Sequence, residues 1–215
     1  MIEEFIRKNY PLKDKKYIFI IGNGEGLLDA PVGIFWDEKY FKIGLNRAFL
    51  ISDLDLLIYM DKNPEIDIYT WGDKYRCKRE KDMNRPFYPP CSFNDFKKSY
   101  NDLYKNSLYR RPNSLYPALD LACRLSSKKI PIILIGISFD TRLHFYKEKF
   151  NIKNLDNKFN NFFEGCALDR EKEMQYSIKM ILKDGFDIRY TDKSNLLNKA
   201  GCRKINYSDL DYSYY

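Results

Sequence analysis

The stretch that most constrains the fold is residues 17–26, Tyr-Ile-Phe-Ile-Ile-Gly-Asn-Gly-Glu-Gly. Its apolar half, rich in β-branched and aromatic residues, is typical of a strand buried on both faces of a parallel sheet. Gly22, Gly24 and Gly26 then let the backbone turn sharply and approach a ligand that a Cβ would block. Backbone N–H groups at such a turn favour phosphate, and a tight turn without a ligand is the alternative. The spacing GxGxG is not the dinucleotide fingerprint GxGxxG.

Composition predicts a globular protein that can bury a full core. The chain has 215 residues, of which 44% are hydrophobic and 16% aromatic. The formal net charge of +7 suits a phosphorylated ligand, nucleic acid or an anionic membrane surface, and it decides among none of them. The 5 cysteines contain no CxxC pair, which argues against a zinc site and a disulfide framework. An acidic N-terminus and the lack of about 18 consecutive apolar residues predict a cytoplasmic protein without a signal peptide or a spanning helix.

Apolar runs alternate with helical patterns along the chain, which predicts an α/β fold with a mostly parallel sheet and helices on both faces. After the first strand, we expect strands at residues 41–45, 55–60, 130–136 and 186–190, and helices at residues 2–9, 115–125, 168–183 and from 195. We expect a single domain over residues 1–215. Prolines interrupt residues 62–112, which we interpret as an insertion or lid with short strands near 66–71 and a helix near 93–104.

Polar residues follow several of these strands or precede a helix. Asn46 and Asp61 follow the second and third strands, and Ser138 follows the run at 130–136. Ser114, or its neighbour Asn113, is a suitable N-cap for the helix that begins at 115. Because ligands of open α/β sheets bind at the carboxyl ends of the strands, we expect these side chains to converge with Asn23 on one cleft.

The motifs occur in an order that resembles a known family. GNGEG, GLNRA and YMDKN follow the first three strands, PNSLYPALDLACRL begins a helix, and LIGISFD and a final Ser-Asn-Leu-Leu come later. This order resembles the bacterial sialyltransferases of glycosyltransferase family 42. It is also similar to the 6-hydroxymethylpterin diphosphokinase-like family, which includes the motility-accessory transferases that glycosylate flagellin. The resemblance covers roughly residues 16–198.

The resemblance implies a Rossmann-like fold that binds a nucleotide sugar, typically a cytidine monophosphate (CMP) sugar, without a metal or other cofactor. It implies transfer of the sugar to an acceptor hydroxyl. The family usually has Pro-Ser where this chain has Glu25-Gly26, so one hydroxyl contact is missing. The residues that the resemblance and the strand ends together place at the nucleotide are Gly22, Asn23, Gly24, Glu25, Asn46, Arg47, Asp61, Asn113, Ser114, Gly136, Ser138 and Phe139.

The chain departs from the family at the positions of the family's catalytic residues. The family's Gly-Ile-Asp-Phe is Gly-Ile-Ser-Phe here, at residues 136–139, and the acid is displaced to Asp140. The family's catalytic histidine would align near Cys166. Glycosyl transfer needs a base for the acceptor hydroxyl and stabilisation of the leaving phosphate. His144, the only histidine, can supply the first and Tyr146 the second; Asp140 is the competing base, and a surface role for His144 is the alternative.

Three other functions remain open at this stage. A DNA-modifying enzyme acting on phage or bacterial nucleic acid is suggested by the basic residues in 74–79 and 110–111. A pterin-type diphosphokinase would hold magnesium with Asp55 and Asp61. A protein of this fold without catalysis is consistent with the displaced acid and histidine. The sequence does not identify the donor sugar, the acceptor or the oligomeric state, and a homo-oligomer is among the possibilities.

Overall fold

The computed structural model describes residue 8 and residues 12–48, 51–58, 75–78, 91–92, 114–137 and 167–212. Within these ranges eight strands form one sheet, and every neighbouring pair is parallel. The strand order across the sheet is β5-β4-β3-β2-β1-β6-β7-β8. The strands are β1 Tyr17–Ile21, β2 Tyr40–Leu45, β3 Leu56–Ile58, β4 Tyr75–Lys78, β5 Cys91–Ser92, β6 Ile132–Ile135, β7 Ile188–Tyr190 and β8 Arg203–Lys204.

Helices cover both faces of this sheet. The described helices are α1 Gly33–Trp36, α2 Leu115–Ser126, α3 Ala167–Lys183 and α4 Asn195–Ala200, with 3-10 helices at Glu25–Asp29 and Tyr207–Asp209. Side chains of α2, α3 and α4 pack with Ile18 and Ile20 on one face. Side chains of α1 and both 3-10 segments pack with Phe19 and Ile21 on the other. The alternation along β1 therefore fills two cores, which explains its unbroken apolar sequence.

The α/β prediction is confirmed, with small differences at the element ends. The strand predicted at 130–136 begins at Ile132, and the one predicted at 186–190 begins at Ile188. The helix predicted at 168–183 is present and is followed by Gly185 at φ 88°, a conformation that favours glycine. Helix α1 and strand β8 were not predicted, because both are too short to show a period. Of the helix predicted at residues 2–9, only residue 8 is described, and it is helical.

The segment predicted as an insertion or lid carries two strands of the main sheet. Strand β4 pairs with β3, and β5 pairs with β4. The strands expected near 66–71 and the helix expected near 93–104 lie outside the described residues. The division of the chain into one domain with a lid therefore stays a prediction.

The order in which strands are added to the sheet reverses beside β1. Strands β2 to β5 extend from one side of β1, and β6 to β8 extend from the other. In open parallel sheets ligands bind outside the carboxyl ends of the strands at such a switch point. The crevice at the carboxyl ends of β1 and β6 is thus the first place to look for a site. Among the described helices, none is long and apolar enough to cross a membrane.

Candidate functional site

The glycine turn after β1 is held against the end of β6. The N–H of Gly22 donates to the Ile135 carbonyl at 2.8 Å, and the N–H of Gly24 donates to the Gly136 carbonyl at 2.7 Å. A Cβ on Gly22 would lie 2.3 Å from the Gly136 oxygen. The space that a Cβ would take at Gly22 holds the backbone that follows β6, which explains the glycine by this close approach, and its predicted role at the nucleotide stays a prediction. The two N–H groups are occupied, so any backbone contact to phosphate comes from other residues of the turn.

Asn23 lies between these two glycines and reaches towards the end of β2. Its Nδ2 donates to the Leu45 carbonyl at 3.1 Å, which fixes the orientation of the side-chain amide. Its Oδ1 is buried and has no hydrogen-bond partner among the described residues. An unsatisfied buried acceptor is costly unless something donates to it. Asn23 therefore presents an oxygen that a hydroxyl or amino group of a ligand can satisfy.

Asn46, directly after β2, is a second polar side chain at this edge of the sheet. Its backbone has φ 49°, a left-handed conformation that asparagine tolerates better than most residues, and its N–H donates to the Ile58 carbonyl at 2.9 Å. Its Nδ2 donates to Ser114 Oγ at 3.2 Å. The turns after β1 and β2 and the start of α2 are thus linked by side-chain amides. Asn23, Asn46 and Ser114, which the sequence predicts to converge, lie along one edge of the sheet.

Ser114 has the predicted position but not the predicted bond. It immediately precedes α2 and is 8% exposed, yet its side chain makes no capping hydrogen bond. Its backbone is already helical at φ −64° and ψ −18°, whereas a capping serine is usually extended. The hydroxyl oxygen accepts from Asn46 instead, and within the part of the chain that the structure describes its own proton stays available for another acceptor. Asn113, the other predicted cap, lies outside the described residues.

Three further predicted residues border this edge. Glu25 begins the 3-10 helix after the glycine turn, and Arg47 follows Asn46 and is 8% exposed. Gly136 has φ 64°, and a Cβ there would lie 2.5 Å from Leu27 Cγ. The structure therefore explains Gly136 by the backbone turn after β6 and by close packing against Leu27.

Asp192 belongs to the same edge and was not assigned a role from the sequence. It lies two residues after β7 and is 7% exposed. Its Oδ2 accepts from the Ile137 N–H at 3.0 Å, and its Oδ1 lies 3.3 Å from Thr191 Oγ1 and 3.4 Å from the Tyr207 hydroxyl. Burial raises the pKa of Asp192, and these hydrogen bonds oppose the rise. The signal was a polar residue soon after a strand, the same signal that identified Asn46.

Several predicted site residues lie outside the described residues, and their roles stay predictions. They are the catalytic candidates Asp140, His144 and Tyr146, the nucleotide-binding candidates Asp61, Ser138 and Phe139, and Cys166.

The magnesium pair suggested for a diphosphokinase is not supported at Asp55. This residue precedes β3, and its carboxylate accepts from the Lys42 N–H at 2.8 Å. It therefore lies at the amino ends of the strands, opposite the edge that carries Asn46. Asp61 is outside the described residues. Among those that are described, no group of three or more His, Cys, Asp or Glu residues could hold a metal ion.

No protein-family model matches the sequence, and no curated protein sequence matches it either. Solved structures with the same arrangement of elements do match. The monofunctional α-2,3-sialyltransferase Cst-I from Campylobacter jejuni is 15% identical, with a TM-score of 0.53 over 94% of this chain and 84% of that chain. The sialyltransferase CST-II in complex with a trisaccharide acceptor and CMP is 17% identical, with a TM-score of 0.54 over 93% and 89%.

A single-residue variant of CST-II in complex with CMP gives a TM-score of 0.55 at 15% identity, over 92% of this chain and 89% of that chain. At these identities the likeness shows the fold. The sialyltransferase-like α/β fold that the order of the motifs predicts is confirmed.

Proposed function

We propose that this chain is a glycosyltransferase that moves a sugar from a CMP-sugar donor to an acceptor hydroxyl. One observation carries the proposal. The side chains of Asn23, Asn46 and Ser114 lie along the carboxyl edge of the sheet beside its switch point, and the fold is shared with sialyltransferases that were solved with CMP. A switch-point edge is where this class of fold binds nucleotides.

The chemistry of the edge suits a nucleotide. Asn23 offers an acceptor through Oδ1, and Ser114 offers the proton of its hydroxyl. A ribose hydroxyl or a base amino group can donate to the first, and a phosphate or ribose oxygen can accept from the second. Arg47, next to Asn46, adds a positive charge to this part of the chain. The edge thus carries neutral side chains that can recognise the polar groups of a nucleotide.

Transfer breaks the bond between the anomeric carbon and a phosphate oxygen, and it forms a bond from that carbon to the acceptor oxygen. The acceptor proton passes to a base, and CMP leaves with the electron pair. His144 is our candidate for the base, since its reference pKa is near neutrality, and Tyr146 is our candidate donor to the phosphate. Asp140 is the competing base. No metal is required by this scheme.

Calorimetric titration with CMP, in the presence of a chelator, tests the proposal. We expect CMP to bind without metal and more tightly than AMP, GMP or UMP. Asn46→Ala should weaken CMP binding by about 1 kcal/mol, the usual net value of one hydrogen bond. Absence of nucleotide binding, or binding only with magnesium, would contradict the proposal. Duplex DNA binding that falls steeply with salt would favour the DNA-modifying alternative instead.

Replacing His144 separates binding from chemistry. If His144 is the base, His144→Ala should lower the rate of sugar transfer about 10²- to 10⁴-fold and leave CMP affinity nearly unchanged. Asp140→Asn is the matched variant. A wild-type rate in His144→Ala together with loss of activity in Asp140→Asn would move the role to Asp140. Normal rates in both variants would exclude the two residues as the base.

A further inference from the structure

The carboxylate of Asp192 joins two segments that border the switch point. One carboxylate oxygen accepts from the Ile137 N–H at 3.0 Å, just after β6. The other lies 3.4 Å from the Tyr207 hydroxyl, which in turn lies 3.3 Å from the Gly26 carbonyl in the turn after β1. Because a phenol has one proton, Tyr207 can donate to either oxygen, and its own oxygen can accept from Thr191 Oγ1, which lies 3.1 Å away.

Gly26 is also packed directly against this carboxylate. A Cβ at Gly26 would lie 2.3 Å from Asp192 Oδ1 and 2.6 Å from its Cγ. The third glycine of the turn therefore makes room for Asp192. Hydrogen bonds and close packing together set the distance between the 3-10 helix that follows β1 and the residues that follow β6.

We propose that Asp192 is a positioning residue for nucleotide binding. Its carboxylate accepts from the Ile137 N–H and packs against Gly26, and it thereby fixes the glycine turn after β1 relative to residues 136–137. This inference rests on the proposed function, because it assigns the residue to the same nucleotide edge. The backbone bonds of Gly22 and Gly24 hold the start of the turn to the end of β6. Further along, where Gly26 and Ile137 leave the sheet, Asp192 and Tyr207 connect the two segments.

A core role alone would predict a different response to mutation. A buried residue that only fills space affects the whole protein when it is replaced, and an effect on binding follows the loss of stability. A positioning residue affects the two segments that it joins. Removal of its acceptor leaves the buried Ile137 N–H unsatisfied and frees the 3-10 helix, while β1 and β6 keep their own pairing.

The experiment compares Asp192→Ala, Asp192→Asn and Tyr207→Phe with wild type. Asp187→Asn is the control, because Asp187 is an exposed aspartate just before the same strand and its carboxylate binds Arg189. Hydrogen–deuterium exchange is measured on peptides that cover residues 22–29 and 132–137, and on peptides from α3. CMP affinity is measured by calorimetry on the same samples, and the melting temperature is recorded.

In Asp192→Ala we expect exchange at 22–29 and 136–137 to accelerate about tenfold or more, with α3 unchanged, since a lost buried acceptor opens its surroundings locally. CMP affinity should fall about 5- to 30-fold, the range set by one or two lost hydrogen bonds. Asp192→Asn should keep part of the exchange protection and part of the CMP affinity, because its amide oxygen can still accept from the Ile137 N–H. Tyr207→Phe should affect mainly 22–29, and the control should match wild type.

Exchange that is unchanged at both segments, or that rises equally in α3, would overturn the inference, as would wild-type CMP affinity in a variant whose two segments have loosened. If Asp192→Ala does not fold, the same criteria apply to Asp192→Asn and Tyr207→Phe. A wild-type protein that does not bind CMP would contradict the proposed function. In that case exchange still decides whether Asp192 joins the two segments.

Discussion

The two edges of the sheet carry different kinds of polar group. At the amino ends, charged side chains contact other groups of the protein. Lys42 is 5% exposed and its Nζ donates to the Asp37 carbonyl at 3.1 Å, while Asp55 accepts from its backbone N–H. Lys16 pairs with Asp211 further along. At the carboxyl ends, the linked groups are mostly neutral.

The difference concerns what remains available for a ligand. At the amino edge, the charged groups are engaged in contacts within the protein, because a buried lysine or aspartate needs such partners. The carboxyl edge presents side-chain amides and a hydroxyl, and Asn23 Oδ1 has no partner among the described residues. We infer that polarity alone does not identify a binding edge. Spare hydrogen-bonding capacity at a switch point identifies it better.

The largest effect is expected from a substitution that disrupts the carboxyl edge itself. Gly22→Ala places a methyl group 2.3 Å from the Gly136 carbonyl oxygen, which is backbone and cannot rotate away. We expect a loss of about 3 kcal/mol in the free energy of unfolding, at the upper end for overpacking. Chemical denaturation measures it.

Gly185→Ala is the matched control for this change. Gly185 has φ 88°, and a Cβ added there would meet nothing within 4 Å among the described residues, so the substitution tests backbone conformation without a clash. It should cost about 1 kcal/mol, the usual penalty for a left-handed residue with a side chain. Equal losses in the two variants would show that the contact between β1 and β6 is looser than the structure has it.

A pH series compares one carboxylate from each edge. Burial raises the pKa of both Asp55 and Asp192 above 3.8. The folded protein therefore holds these protons more strongly than the unfolded chain, and wild type loses stability as the pH rises from 3.8 through the folded pKa. Relative to wild type, Asp55→Asn and Asp192→Asn should gain stability over that window.

Denaturant titrations between about pH 4 and about pH 7 measure this slope, and only the change with pH is diagnostic because each substitution also alters hydrogen bonds. Only Asp192→Asn should also weaken CMP binding. If Asp55→Asn weakened it equally, the functional distinction between the edges would fail.

Two serines of α2 sharpen the comparison within one helix. Ser114 precedes the helix and accepts from Asn46, whereas Ser126 ends it and donates to the Ile130 carbonyl at 2.6 Å. Ser114→Ala should weaken CMP binding by about 1 kcal/mol with little change in stability. Ser126→Ala should lower stability by about 1 kcal/mol and leave CMP binding unchanged. Calorimetry and denaturation on both variants provide the test, and a reversed pattern would move the nucleotide away from Ser114.

The smallest effect is expected at the exposed ion pair of Lys16 and Asp211. Solvent and salt screen such pairs. At near-neutral pH, the denaturation midpoint of Asp211→Asn should therefore equal that of wild type within experimental error. Lys16 lowers the pKa of Asp211 below 3.8, so any contribution is present above 3.8 and is lost as the pH falls. This sign is opposite to that of the two buried carboxylates. A large loss at neutral pH would show that the amino edge depends on its surface charges.

The sequence was sufficient for the central strands of the sheet and for part of the edge. Long apolar runs marked β1, β2 and β6, because a strand buried on both faces has few polar positions. Asn46 was found because it directly follows such a run. Ser114 was found as the polar residue before a helical pattern, although its bond to Asn46 joins distant parts of the chain and has no local signature.

What could not be predicted depends on contacts between segments. The sequence showed three glycines but not which atoms fill the space beside them; Gly22 faces Gly136 and Gly26 faces Asp192. Asp55 followed the same pattern of polar residues near a strand, yet it lies at the amino end and pairs with Lys42. The periodicity of a sequence indicates on which face of a strand a residue lies. Only the pairing of the strands shows whether that residue lies at the amino or the carboxyl edge of the sheet.

The central place of β1 also has a consequence during synthesis. Ile18 pairs with Phe41, which follows soon after it, and with Ile132, which is made much later. Until β6 emerges from the ribosome, one side of an almost wholly apolar strand has no partner. An unpaired apolar edge readily recruits strands of other chains, and distant pairings form slowly. Truncation before residue 132 should therefore give an aggregation-prone product, and co-expressed chaperones should help nascent chains more than they help the completed protein.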